Sequence, residues 1–70
     1  MKIENKKTVK IIYTNYKGET AERTIIPIEL WFGSTEYHPE EQWLLKAFDV
    51  EKKAERNFAV KDVKGWKTAV

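Results

Sequence analysis

The sequence predicts a mostly β domain: a small antiparallel β-barrel or strongly curled sheet of four to five strands, with a short helical turn near the C-terminus. Apolar residues recur with a period of two over residues 8 to 14 and again over 55 to 60, which is strand spacing rather than helix spacing. Turn chemistry punctuates the periodic stretches at Asn15 to Gly18, at Gly33 and Ser34, and in the polar run VEKKAE. The chain has 70 residues and no cysteine, so packing by its three Trp, three Tyr and three Phe must hold the fold.

The elements follow in order. In TVKIIYT, Val9, Ile11 and Tyr13 share one face, and β-branched and aromatic content favours a strand. Gly18 suits the positive φ of a hairpin turn. The returning run ETAERTII puts Ala21, Arg23 and Ile25 on one face and Thr20, Glu22, Thr24 and Ile26 on the other, and a one-residue slip would exchange them. Pro27 lacks a backbone donor and is expected to end the ladder or mark a bend, after which IELWF forms a short extended segment. Residues 34 to 42 contain Pro39 and no apolar period, which reads as a loop with room for one turn at PEEQ. QWLLKAFD is nearly continuous in apolar residues over a length that fits a central strand, and ERNFAV returns beside it. Asp62 to Gly65 reads as a helical turn opened by an aspartate cap, with Trp66 closing over the core. The expected core is Val9, Ile11, Ile25, Trp43, Leu45, Phe58 and Val60. Residues 1–7 are expected to be loosely ordered, 8–66 to form the domain, and 67–70 to fray.

Composition excludes several classes. The net charge of +2, from 13 basic and 11 acidic residues, lacks the basic excess of a protein that clamps duplex DNA. Lysines cluster at Lys6, Lys7 and Lys10, at Lys52 and Lys53, and at Lys61, Lys64 and Lys67, and such runs are ordinarily solvated. No stretch has the ~18 apolar residues of a membrane span, and the start MKIENKK lacks the apolar segment of a secretory signal, so a cytoplasmic protein is expected. A single histidine, His38, and no cysteine leave no multi-ligand metal centre. Glu40 and Glu41 are adjacent and diverge, and no nucleophile–base spacing occurs. Neither an enzyme nor a cofactor is expected.

The order of features from residue 8 to 66 resembles the WYL domain of bacterial transcriptional regulators and defence-associated proteins. The resemblance is carried by Ile11 to Tyr13 before the Gly18 turn, by Arg23, Ile25 and Pro27, by Trp43, Leu44 and Leu45 at the name-giving segment, and by Ala47, Asp49, Arg56 and Phe58. Leu44 stands where the family usually has tyrosine. The resemblance implies an SH3-like or Sm-like β fold from a bacterial or phage setting. It also implies a regulatory role in which the fold receives a nucleotide-like effector or nucleic acid. Seven residues before the first strand are too few for a winged helix, so sequence-specific reading of duplex DNA is not expected.

Arg23 and Arg56 alternate with apolar residues, where a guanidinium needs a partner. For Arg56 that partner is Asp49 across the VEKKAE turn, or a ligand phosphate matched by the planar fork. Arg23 is open to the same two readings, and the resemblance places it in the ligand-related half of the fold. Both arginines converging on one mouth would form an anion site, with Asp49 orienting one of them and Tyr37 and His38 beside a base. Trp43 is expected to be structural. The ligand expected is a nucleotide or short single-stranded nucleic acid. The competing expectation is a protein-interaction or homo-oligomerisation module built on an open strand edge and the aromatics Trp31, Phe32 and Tyr37.

Overall fold

A computed structural model describes residues 3 and 7–68 of the chain. Five strands follow in order: β1 (Val9–Thr14), β2 (Thr20–Gly33), β3 (Gln42–Asp49), β4 (Ala54–Ala59) and β5 (Val63–Thr68), with a 3-10 turn at Val60–Asp62 between the last two. They form one antiparallel sheet in the order β4-β3-β2-β1-β5. The expected barrel is therefore not closed, because β4 and β5 remain outer strands that no ladder joins.

β2 is the spine. Its first half pairs with β1 as far as Ile25, and its second half pairs with β3 from Ile25 onward. A straight strand of 14 residues would run about 45 Å at ~3.3 Å per residue. The largest principal-axis extent of the molecule is 33 Å, which fits a bent β2. The ladder shifts register between Pro27 and Glu29, the position at which a bulge bends a strand. Pro27, read as ending the ladder or marking an edge or bend, sits past the last β1 pair, where its missing N–H breaks no β1–β2 bond, and at a bulge in the β2–β3 ladder, where proline is tolerated. The bend lets non-adjacent strands meet: the Ala59 amide of β4 donates to the Tyr13 hydroxyl of β1 at 3.0 Å.

Pairing of Val9 with Ile25 and of Ile11 with Arg23 settles the face of β2, placing Ala21, Arg23 and Ile25 on the side of Val9, Ile11 and Tyr13, where Ile25 is buried, Arg23 half-buried and Ala21 exposed. The core joins Val9, Ile11, Tyr13, Ile25, Leu45, Ala47 and Phe58. Two expected core residues are not in it. Trp43 is 52% exposed, because it lies at the start of β3 with only Phe32 beside it on β2 and no residue of β1 reaching that row. Val60 is 40% exposed, because β4 ends at Ala59 and the backbone turns away there.

Leu44 and Ala59 are fully buried on the opposite face. Trp31 on β2 donates from Nε1 to Asn57 Oδ1 on β4 at 2.9 Å, so its indole spans β3 at Leu44, which is in register with both Trp31 and Ala59. The ring also rests on Gly33: a Cβ there would come within 2.4 Å of the indole. Gly33→Ala should displace Trp31, break its bond to Asn57 and cost about 1–3 kcal/mol, as overpacking does. Chemical denaturation should show the loss, and an unchanged midpoint with unchanged Trp fluorescence would refute this placement.

The helical turn expected at Asp62 to Gly65 is displaced. The 3-10 turn occupies Val60–Asp62 with no side-chain cap, and the chain from Val63 is strand β5. Trp66 does not close over the core; it is 54% exposed. Of the segments expected to be loosely ordered, residues 1, 2, 4–6, 69 and 70 lie outside the described residues. The Ile3 amide donates to the Ile28 carbonyl at 2.8 Å, and Lys67 and Thr68 pair with Lys10 and Val9.

Candidate functional site

Three chain reversals surround one open cavity of about 610 Å³. The first is the β1–β2 turn. The Asn15 carbonyl accepts from the Gly18 amide at 2.9 Å, while its side-chain Oδ1 accepts from the Lys17 and Glu19 amides at 2.9 and 3.0 Å. Gly18 has φ +82°, a conformation that penalises any residue with a Cβ. Tyr16 and Lys17 are thereby held at the tip, with the Lys17 ammonium 5.8 Å from the Tyr16 ring centroid.

The second is the β2–β3 loop. Its tight turn falls at Thr35–His38 rather than at PEEQ, with reciprocal backbone bonds of 2.9 and 3.1 Å and the Thr35 hydroxyl also accepting from the His38 amide. This turn puts Tyr37 against Tyr16, ring centroids 5.8 Å apart at 37°. Both rings are exposed.

The third is the β3–β4 turn. Asp49 is 2% exposed, and its Oδ1 accepts from the Glu51 and Lys52 amides at 3.1 and 3.2 Å. Its Oδ2 lies 3.9 Å from Arg23 Nη1, at the outer limit of an ion pair. The partner of Asp49 is therefore Arg23 and not Arg56: Arg56 faces Ala47 on β3 and makes no ion pair among the described residues. Arg23 Nε is buried and bonds nothing, so the fold leaves part of this guanidinium's donor set unmet.

Arg23, Arg56, Tyr37 and His38 all line the cavity, with Asp49 in its wall and Tyr13 and Phe58 as its apolar floor. Burial pushes the Tyr13 phenol above its ordinary value; the Ala59 amide opposes this, Asp62 adds to it and Arg23 opposes it. Tyr13 is therefore neutral at physiological pH. Trp43 lies elsewhere, edge-on to Phe32 at 5.5 Å. The aromatics expected to make one interaction surface do not share one. Trp31 is on the far face bonded to Asn57, Phe32 stands beside Trp43, and Tyr37 stands beside Tyr16.

Charge in the cavity is mixed. Lys17, Arg23, Lys52 and Arg56 are balanced in number by Glu19, Glu36, Asp49 and Glu55. Partners decide what remains: Asp49 is held by Arg23 and the turn amides, Glu55 by Lys46 at 3.5 Å, and Glu19 accepts from Asn15. Lys17, Lys52 and Arg56 have no carboxylate within ion-pair distance among the described residues, against Glu19 and Glu36 on the acidic side, which have no cation within that distance. Tyr16, Lys17 and Lys52 escaped the sequence reading. Their signal was position, since each sits on a reversal, but which reversals meet depends on the bend in β2.

Among the described residues no group of three or more potential ligands could hold a metal ion, and no helix is long and apolar enough to cross a membrane. A family model described as the WYL domain matches residues 2–68. No curated protein and no solved structure shows significant similarity to the chain.

Proposed function

This chain belongs to the WYL domain family, whose members are non-catalytic, ligand-binding regulatory modules of bacterial regulators, and from that premise we propose that its cavity receives a nucleotide or a short single-stranded nucleic acid. The carrying observation is the convergence of Arg23, Arg56, Tyr37 and His38 on one open cavity rimmed by unpaired cations. Arg56 is exposed and makes no ion pair among the described residues, so its two-pronged donor face is available for a phosphate. Arg23 lies deeper, anchored by Asp49. The exposed pair Tyr16 and Tyr37 offers a π face to a base, a contact tolerant of base identity and worth ~1–3 kcal/mol per base. The volume falls within the ~300–1,000 Å³ of small-molecule sites.

The test is calorimetric titration of ATP and of a single-stranded oligonucleotide at two salt concentrations. Two or three phosphate contacts on a single strand predict a log–log salt slope of about −1.4 to −2.1. Arg56→Ala should weaken binding roughly ten-fold or more, and Arg56→Lys should also weaken it, because an ammonium cannot make the forked contact. Tyr37→Ala should weaken oligonucleotide binding within the stacking range. Failure of the wild type to bind either probe, or full affinity in folded Arg56→Ala, would remove the proposal.

A further inference from the structure

A second surface shares no lining residue with the cavity. Among the described residues, Phe32, Trp43, Val60 and Trp66 account for four of the six large hydrophobic residues left exposed, the other two being Tyr16 and Tyr37 at the cavity. Phe32 and Trp43 stand edge to face as a ridge. Beside it lies a socket of about 220 Å³ formed by Ile3, Leu30, Leu45, Val60, Val63 and Trp66. Ridge and socket are contiguous: Leu30 and Leu45 are paired across β2 and β3, one row in from the Phe32–Trp43 pair on the same face.

We infer that this surface is a two-fold interface with a second copy of the chain, the Trp43 ridge of each copy seated in the socket of the other. Three features select that occupant. The socket is smaller than the ~300 Å³ at which small-molecule sites begin and has no polar side chain to orient a ligand, so it suits one apolar side chain. A projection adjoining a matching recess is what an isologous contact requires, because each copy supplies both halves. The flanking charges are also self-complementary. Glu41 precedes the ridge, Lys61 and Lys64 border the socket, all three are exposed, and none forms an ion pair among the described residues.

The exposed aromatics supply more than half of the area such an interface needs. Phe32, Trp43 and Trp66 are 52–54% exposed. At ~150–250 Å² per aromatic side chain they leave on the order of 300 Å² open per copy. Two copies would hide about 600 Å² of aromatic surface before any rim is counted, against the ~1,000 Å² total that a specific interface must clear. This inference does not rest on the anion-binding reading, since no ridge or socket residue lines the cavity.

Sedimentation of the whole chain over a wide concentration range, with Trp fluorescence recorded in parallel, tests it. The wild type should form a dimer, with a blue shift as Trp43 and Trp66 leave water. Trp43→Ser, at an exposed position that leaves the core intact, should weaken association at least ten-fold, as loss of an interface anchor does. Glu41→Lys and Lys64→Glu should each weaken self-association, and mixing the two should restore a heterodimer because both rim contacts then pair opposite charges. A wild type monomeric at every concentration would overturn the inference and leave the surface to another protein. A dimer indifferent to Trp43→Ser would overturn it in favour of strand-edge pairing through β4 or β5.

Discussion

Phe58→Ala should remove about half or more of the protein's stability and lower its melting midpoint steeply. Phe58 is 4% exposed, meets the Tyr13 ring edge-on at 4.9 Å between centroids, and sits in register with Leu45. It thus joins the two halves of the bent sheet, and the amide of the next residue makes the bond from β4 to the Tyr13 hydroxyl. Truncating a buried phenylalanine costs about 3–5 kcal/mol. At ~0.05–0.15 kcal/mol per residue, a chain of 70 residues holds about 3.5–10 kcal/mol in all. Far-UV circular dichroism against temperature gives the answer, and a cooperative melt near the wild-type midpoint would contradict the placement of Phe58.

Asp49→Ala is expected to be the next most damaging change, at about 3 kcal/mol. The carboxylate is nearly inaccessible, and its removal strips acceptors from the Glu51 and Lys52 amides and the counter-charge from Arg23. Losing the partner of a buried charge costs about 3–5 kcal/mol. The low end applies because Arg23 keeps 26% of its side chain exposed and the pair is long. Asp49→Asn separates the two contributions, since an amide oxygen still accepts from the turn but carries no charge. An intermediate stability for Asn is the expected result of a urea titration. An Ala variant within about 1 kcal/mol of wild type would show that neither contribution matters, an outcome incompatible with the observed burial and bonds.

Cavity and strands were legible to different degrees. Alternation in β1 and β4, the Gly18 turn and the reading of QWLLKAFD as a strand depend on neighbours a few residues apart, so local sequence suffices. Trp43 and Val60 misled because alternation assigns a face and not a depth. Both lie at strand ends, where the covering layer runs out. Leu44, absent from the expected core, is fully buried on the other face because Trp31 crosses the strand beside it.

Local patterns along the chain were enough for the family and for a mostly β antiparallel architecture. They left open whether Asp49 would face Arg23 or Arg56, and they did not show that Tyr16 would meet Tyr37. The first follows from the β2–β3 register, since Asp49 faces Ile25, two residues along β2 from Arg23 on the same face; the second joins reversals at opposite ends of β2, which in a flat sheet would lie a strand's length apart. Only the bend near Pro27, fixed by how the two halves bury Phe58, Tyr13 and Leu45 against one another, brings them to one cavity. That is packing among residues distant in sequence, and no local pattern encodes it.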